Sequence, residues 1–387
     1  MQTDRKFTIS QSELHRLLNL VKHAVAAKPI VPIYEFLKID VRTSARYITV
    51  TASNDVNMIQ ARSADDSIEE QKDFPFSMCV PAKTLISLVA LLPAEPITFV
   101  YTAHNRKLKI ECAENNYDFG CQNPDDFPDF PKLQSKAVSF QLDSEVLTSA
   151  ISYAAYAIAN NPDKMNLTGM FIGAAKNKLT ISSCDGRKLV RYIRNDVVID
   201  HDVSMLIPKA GVSVLQKILP KNETITLAAS AQRVIVSSDM FLFSTLQIKA
   251  TYPNIESVIQ FSSATQKINF QVSQLNDALT RIHLLAESDT PYVTFILVPD
   301  RCIITTEDMS RGRAATERFS LSHTVTEKVC FLLLDLETML ANIPGHAKEL
   351  TLSMEASNKA VYFTPTAPQD GEDLLILVLP YLTNVYA

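Results

Sequence analysis

The side chains best suited to covalent or metal chemistry are thinly spread along this chain. Six cysteines stand at Cys79, Cys112, Cys121, Cys184, Cys302 and Cys330, with no C-x-x-C pair and no nearby histidine at metal-ligand spacing. They read as buried free thiols of a reducing compartment. The seven histidines are scattered, and Asp185 in "CDGRKLV" reads as a turn residue rather than a general base. No G-x-x-x-x-G-K-[ST], H-E-x-x-H, G-x-S-x-G or G-x-G-x-x-G pattern occurs, and 8 glycines in 387 residues leave little material for a glycine-rich cradle. The sequons at Asn166 and Asn222 read as chance. The expectation is a protein with no catalytic residues, no metal and no cofactor.

Composition narrows the class further. An apolar fraction of 47% with 20% charged residues suits a globular chain, and 387 residues suggest two or three domains. No apolar run approaches the roughly 20 residues of a membrane span. The start, "MQTDRKFTIS", lacks the apolar stretch of a signal peptide, so a cytoplasmic protein is expected. A net charge of −5 weighs against nucleic acid only on average, because the placement of basic residues decides phosphate binding. The end, "LLILVLPYLTNVYA", is unusually apolar for a terminus and must be held down or bound by something.

What positions these residues is a repeat. "KFTISQSELHRLLNLVKHAV" from Lys6 returns as "VSFQLDSEVLTSAISYAAYAI" from Val138 and "INFQVSQLNDALTRIHLLA" from Ile268, with Phe7, Phe140 and Phe270 about 130 residues apart. Each is a short alternating strand that turns helical. A second phrase, ending at Pro93, Pro220 and Pro344, is again strand then helix, stopped because proline cannot continue it. Short alternating strands follow every stop. The reading is α+β, with domains at 1–135, 136–264 and 265–387, a period far too long for a stacked solenoid.

In the first helix Ser10 and Glu13 are placed for a capping box, and Leu14, Leu17, Leu18, Val21 and Val25 form one apolar stripe. The opposite face carries His15, Arg16, Asn19, Lys22 and His23, with no acid beyond the capping glutamate. The third unit presents Thr280, Arg281 and His283, with Asp277 nearer the helix start, whereas the second is neutral with Thr148, Ser149, Ser152 and Tyr156. One helical layer is therefore more basic than the acidic whole.

With these units in order, the chain resembles the bacterial DNA polymerase III beta subunits, the sliding clamps. The resemblance covers the whole chain and rests on the threefold repeat, "KPIVPI" from Lys28, "DDFPDFPKL" from Asp125, "LTGMF" from Leu167, "CDGRKLV" from Cys184, "TYPNIESVI" from Thr251 and "LVLPYL" from Leu377. It implies three similar domains of the DNA-clamp (processivity-fold) type, each with two helices on antiparallel sheets, in a head-to-tail homodimeric ring around double-stranded DNA, without sequence preference. It implies a non-catalytic accessory subunit of a polymerase. Twelve helices about 9 Å apart make a circle roughly 35 Å across, which leaves about 25 Å once a helix diameter of about 10 Å is subtracted. Arg16, Lys22, Lys28, Lys83, Lys164, Lys209, Lys217 and Arg281 are the candidates for the DNA-facing surface.

The same resemblance implies an apolar groove that docks peptides of the DNA polymerase III catalytic subunit, the clamp loader and other clamp-binding-motif proteins, with no membrane partner. Matched by position, it consists of Leu167, Cys184, Gly186, Arg187, Leu189, Pro253, Val258, Leu377, Leu379, Pro380 and Tyr381. Ser257 stands where many family members have arginine, and the tail runs past the usual end, so peptide preference is expected to differ. The dimer contact maps to Glu114, Tyr117, Leu284, Leu285, Arg311 and Arg313. In the family the first face is basic and the second acidic. Here Glu114 would face Arg311 or Arg313, a reversed polarity around an apolar centre. The alternative is a clamp-like paralogue acting as a ring or scaffold outside chromosomal replication, suggested by Ser257 and the thinly basic second-domain helix.

Overall fold

A computed structural model describes residues 4–42, 46–70, 75–132, 137–199, 201–262, 264–287 and 289–381. The tail from Leu382 to Ala387 and the first domain joint near 135 lie outside the described residues. The chain forms two compact units, Met1–Glu145 with Ser213–Gln247, and Val146–Val212 with Ile248–Ala387.

The elements follow the three sequence phrases. The first run is β1 (Arg5–Ser10), α1 (Gln11–Val21), β2 (Phe36–Arg42), β3 (Tyr47–Ser53), β4 (Asn57–Arg62), β5 (Ile68–Glu70), β6 (Phe76–Pro81), α2 (Ala82–Leu91), β7 (Pro96–Thr102), β8 (Lys107–Cys112) and β9 (Asn115–Gly120). The second is β10 (Val138–Asp143), α3 (Ser144–Ala154), β11 (Gly169–Ala175), β12 (Lys178–Cys184), β13 (Lys188–Arg194), β14 (Val203–Pro208), α4 (Lys209–Ile218), β15 (Thr224–Ala229), β16 (Arg233–Ser237) and β17 (Phe241–Leu246). The third is β18 (Gln266–Gln271), α5 (Val272–His283), β19 (Tyr292–Val298), β20 (Arg301–Asp308), β21 (Arg313–Ser320), β22 (Glu327–Leu332), α6 (Leu333–Ala341), β23 (Glu349–Met354), β24 (Val361–Pro365) and β25 (Glu372–Val378).

All described sheets are antiparallel, and their order repeats. Strands β1-β7-β8-β9, β10-β15-β16-β17 and β18-β23-β24-β25 form one kind of four-strand set; β6-β2-β3-β4, β14-β11-β12-β13 and β22-β19-β20-β21 form the other. Sets then fuse at their edges. In the first unit β17 pairs with β4, Phe241 opposite Ala61 and Thr245 opposite Asn57, giving eight continuous strands. In the second unit β25 pairs with β13 from Lys188 opposite Val378 to Arg194 opposite Glu372, giving another eight.

Helix burial follows the apolar stripes. Leu14, Leu17, Leu18 and Val21 of α1 are all buried, which at about 1.5–3 kcal/mol each outweighs the marginal stability of an isolated helix this short. Leu275, Ala278, Leu279 and Ile282 do the same in α5. The capping box on α1 is only half formed. Ser10 Oγ accepts the Glu13 amide at 3.2 Å, but the Glu13 carboxylate turns away to Arg16 (2.7 and 2.8 Å) and the Ala64 amide, because a charged partner offers more than a neutral N–H. Stacked Phe7 and Phe99, 4.7 Å apart, centre the first unit's core, while Phe270, Phe295, Phe331 and Phe363 run through the second. All six cysteines are free; burial raises the thiols of Cys79, Cys121 and Cys302 to about 12, which leaves them unreactive at neutral pH.

Candidate functional site: an apolar groove and two open sheet edges

A row of side chains crosses four strands of the second unit. Cys184 on β12 lies opposite Leu189 on β13, Leu189 opposite Leu377 on β25, and Leu377 opposite Tyr362 on β24. Directly opposed residues share a face. Leu189, Leu377 and Tyr362 form a buried cluster with Ile255 and Leu375, and Cys184, Tyr252, Ile259 and Ala360 pack against it. The covering segment is a single turn at Ile255–Ser257, started by Asn254, whose side chain accepts the Glu256 amide. It is tied to the sheet where the Gln260 amide donates to Tyr362 Oη at 3.1 Å.

Along this cluster an apolar rim remains open. Val258 and Phe261 are each 52% exposed and Leu379 38%, with the Phe261 ring 4.6 Å from that of Tyr362. Val258, Phe261 and Leu379 thus leave apolar side chains open to solvent beside a packed apolar row. A larger cavity, about 1170 Å³, shares Phe261 and Leu375 with this region but is otherwise lined by groups such as Asn269, Thr351 and Thr366. Thr351 Oγ1 bonds both Asn269 and Thr366, so those groups already satisfy one another.

The turn between β12 and β13 closes one end. Asp185 Oδ1 accepts the amides of Arg187 (2.8 Å) and Lys188 (2.9 Å), as a turn residue does, and Oδ2 accepts Lys188 Nζ at 2.6 Å. Burial works against the Asp185 carboxylate, but Lys188 and the two amides outweigh it and hold its pKa below 3.8. Asp335 on α6 receives Lys188 at 3.1 Å and Arg187 at 3.4 Å. Gly186 has φ +94, a conformation that suits glycine, and an added Cβ there would fall 2.8 Å from Lys164 Nζ. Lys164, expected to face DNA, thus has its tip over this turn.

Of the eleven expected groove residues, Cys184, Leu189 and Leu377 are in the packed row and Val258 and Leu379 on its rim. Gly186 and Arg187 form the turn, while half-buried Leu167 ends the turn at Pro162–Leu167. Pro253 lines a separate cavity of about 550 Å³ with Phe171 and Tyr252. Past Pro380, the Tyr381 amide donates to the Cys330 carbonyl at 2.7 Å. Sequence matching missed Tyr252, Ile255, Tyr362, Leu375 and Phe261; the alternation in "AVYFTP" was the available signal for Tyr362.

The basic candidates differ in how free their charge is. Lys22, Lys28, Lys83, Lys209 and Lys217 are exposed, with Lys83 and Lys209 hydrogen-bonded only to neutral oxygens of Ala27 and Asn160. Lys22 and Lys217 flank His23, whose pKa is lowered from 6.5 by burial first and then by these two lysines. Arg16 is instead spent on Glu13, and Arg281 on Glu317 at 2.8 and 3.0 Å. His283 is likewise engaged by Glu337 at 2.7 Å.

The expected interface residues lie on or beside two strands at sheet edges. Glu114 is exposed in the turn before β9 and Tyr117 half-buried on it. Arg313 is exposed on β21, and Arg311 in the preceding turn reaches back to Asp308. Leu284 and Leu285, just past α5, are 73% and 37% exposed. Among the described residues there is no cluster of three or more potential metal ligands, and no helix long and apolar enough to cross a membrane.

Comparison with known proteins agrees with this architecture. The family described as DNA polymerase III beta subunit, N-terminal domain, matches residues 5–131, and its central domain matches 141–254, together more than half of the chain. The beta sliding clamp of Chlamydia pneumoniae is 22% identical over 302 residues, 78% of this chain and 80% of that one. That of Bacillus subtilis (strain 168) is 23% identical over 296 residues, 73% and 74% of the two chains. Among solved structures, the Bacillus subtilis DNA polymerase sliding clamp superposes with a TM-score of 0.90 at 19% identity, and a Pseudomonas aeruginosa clamp bound to griselimycin with 0.89 at 17%, each covering 98% of this chain and 100% of the other. At that identity the structural likeness establishes the fold, and the family matches carry the assignment: the chain belongs to the DNA polymerase III beta subunit family.

Proposed function

We propose that the chain is a sliding clamp, which closes with a second copy into a head-to-tail ring around duplex DNA and tethers the replicative polymerase to it. Three domains, 1–135, 136–264 and 265–387, are the repeating parts. The observation that carries this reading is how strand sets join. Wherever the last strand of one repeat meets another repeat, it pairs with the third strand of the preceding sheet set, β17 with β4 and β25 with β13. The equivalent strands left at open edges are β9 and β21. Contacts of this heterologous kind close into a ring only when the rotation returns to its start.

A closed ring works by topology, so weak phosphate contacts from Lys22, Lys217 and their neighbours suffice and let it slide. No chemistry of its own is required. The apolar row from Cys184 to Tyr362, with Val258, Phe261 and Leu379 on its rim, is the docking wall for short apolar peptides of the polymerase catalytic subunit, the clamp loader and other clamp-binding proteins. Such peptides gain most from a few anchors in pre-formed pockets.

The test is molar mass across a dilution series together with retention on circular and linearised DNA. A dimer of twice 43.0 kDa that stays on circles and leaves free ends is expected. A species indifferent to DNA topology would overturn the clamp reading and favour a scaffold outside replication.

A further inference from the structure

The first unit contains the groove's row again, built from different side chains. Ser53 on β3 lies opposite Met58 on β4, Met58 opposite Ser244 on β17, and Ser244 opposite Ile235 on β16. These are the ladder positions of Cys184, Leu189, Leu377 and Tyr362 in the second unit. The fastenings match as well. Asn54 Oδ1 accepts the amides of Val56 (2.9 Å) and Asn57 (2.7 Å), as Asp185 accepts those of Arg187 and Lys188. The Leu246 amide donates to the Val56 carbonyl at 3.0 Å, as that of Leu379 does to Arg187, and both leucines are left 38% exposed. Phe127 and Phe130 join the cluster that contains Met58, as Ile255 and Tyr252 join the one that contains Leu189.

Two differences set the chemistry of this row. Leu242, opposite Gln60, is 36% exposed, whereas its counterpart Leu375, opposite Arg191, is sealed at 2%. The cation has also moved. The second unit has Arg187 and Lys188 at the turn end of its row, where the first has Val56 and Asn57 beside exposed Asp55. Arg233 instead stands at the far end of the first row, opposite Leu246 and two residues before Ile235, the place that Ala360 holds before Tyr362. Arg233 is half-buried, its Nη1 donates to the neutral Ser244 Oγ at 3.2 Å, and among the described residues it makes no ion pair. A guanidinium drawn partly out of water without an anion is placed to receive one.

We propose that this row is a second docking site, for a short apolar peptide segment that carries a carboxylate, with its apolar side chains on Leu242 and Leu246 and its carboxylate on Arg233. The inference rests on the peptide-docking reading of the second-unit groove, whose backbone frame the first unit repeats. The leucines favour a peptide over a nucleic acid strand, because a phosphate backbone gains nothing from them. Arg187 marks the turn end of one row and Arg233 the opposite end of the other, so the two sites distinguish segments by where along them the acid falls.

The experiment follows the fluorescence anisotropy of two labelled, carboxy-amidated heptapeptides that share a core of leucines and phenylalanine, one ending in glutamate and the other in lysine. With Leu379→Asp, which impairs the second-unit groove, the glutamate peptide is expected to bind at least about tenfold more tightly than the lysine peptide. Adding Arg233→Glu should invert that order, which also shows that the variant is folded, and adding Leu246→Asp instead should remove binding of both. Loss of all glutamate-peptide binding in Leu379→Asp, or unchanged affinities on adding Arg233→Glu, would overturn the proposal and leave the second-unit groove standing. Native binding that Leu379→Asp leaves unaltered and Leu246→Asp removes would uphold this site and sink the second-unit reading. A labelled single-stranded oligonucleotide held through Arg233, with no binding of the glutamate peptide, would overturn the peptide assignment.

Discussion

The amide of Leu379 donates to the carbonyl of Arg187 at 2.8 Å, fastening the residue after the last strand to the turn before β13. Leu379 is held by its backbone, and its side chain, 38% exposed, is left for a contact. Backbone anchoring with a free apolar side chain separates stability from binding, and that separation can be measured. Val258→Asp and Leu379→Asp should change folding stability by no more than about 0.5 kcal/mol, as surface substitutions do. Each should weaken binding of a fluorescent clamp-binding peptide by roughly tenfold or more, since one misplaced anchor costs over about 1.4 kcal/mol. Leu377→Ala, only 3% exposed, should lose both, with a stability cost of about 2–4 kcal/mol. Peptide titration by anisotropy beside urea unfolding distinguishes the two classes.

Lys188 lies between two carboxylates, Asp185 at 2.6 Å and Asp335 at 3.1 Å. Removing it leaves Asp335, 9% exposed at its side chain, with only the longer Arg187 contact. Lys188→Met should therefore cost about 3 kcal/mol. The pH dependence has a definite sign. Because Asp185 titrates below 3.8 in the folded chain, its contribution is present above that value and is lost as pH falls through the lower folded value. In Lys188→Met this part of the acid dependence should flatten, which urea midpoints between pH 2.5 and pH 6 would reveal.

Much of the fold was legible because the signals are local. Phe7, Phe140 and Phe270 lie in three equivalent strands, although Phe270 stands two residues further along its strand, where Ile268 takes the place of Phe7 and Phe140, and Pro93, Pro220 and Pro344 follow three helix ends, set by proline's chemistry. The fusion of sheets at β4–β17 and β13–β25 was not legible from the residues alone. An alternating strand says that it has neighbours but not which ones, and Leu189 meets Leu377 across almost half the chain. The family resemblance named Cys184, Leu189 and Leu377, which the structure sets in one packed row, whereas Ile255 and Phe261 reach that row only through the path of the 254–261 segment. The same limit applies to charge. Arg281 reads as basic on a helical wheel, yet Glu317 from a distant strand engages it.

His23 lies between Lys22 and Lys217, and burial and these cations hold its pKa below 6.5. The folded chain therefore binds this proton less readily than the unfolded one, and stability falls as pH drops below 6.5. A DNA phosphate brought to the cluster adds the missing anion and raises the same pKa. DNA binding should take up a proton, and affinity should rise as pH falls from 7.5 to 6. His23→Gln should remove that rise while changing affinity little at pH 7.5. A native chain with no pH dependence over this range would show that duplex DNA does not approach His23.

The lysines and Arg281 make a sharper comparison, because their charges are equal and their surroundings are not. The Arg281 guanidinium makes two bonds to Glu317, at 2.8 and 3.0 Å, so the pair presents almost no net charge to a phosphate. Lys22 bonds only the neutral Asn19 side chain, at 2.8 Å, and Lys217 is exposed beside it. Each phosphate contact contributes about 0.9 to the slope of log affinity against log salt. Lys22→Ala with Lys217→Ala should lower that slope by roughly 2 on a primed duplex, whereas Arg281→Ala should leave it unchanged. Glu317→Gln frees the arginine and should steepen the slope by about 1 if α5 faces the duplex. An Arg281→Ala effect as large as that of the paired lysines would mean that DNA pulls the guanidinium away from Glu317, and the resting ion pair would then be a poor guide to the contact surface.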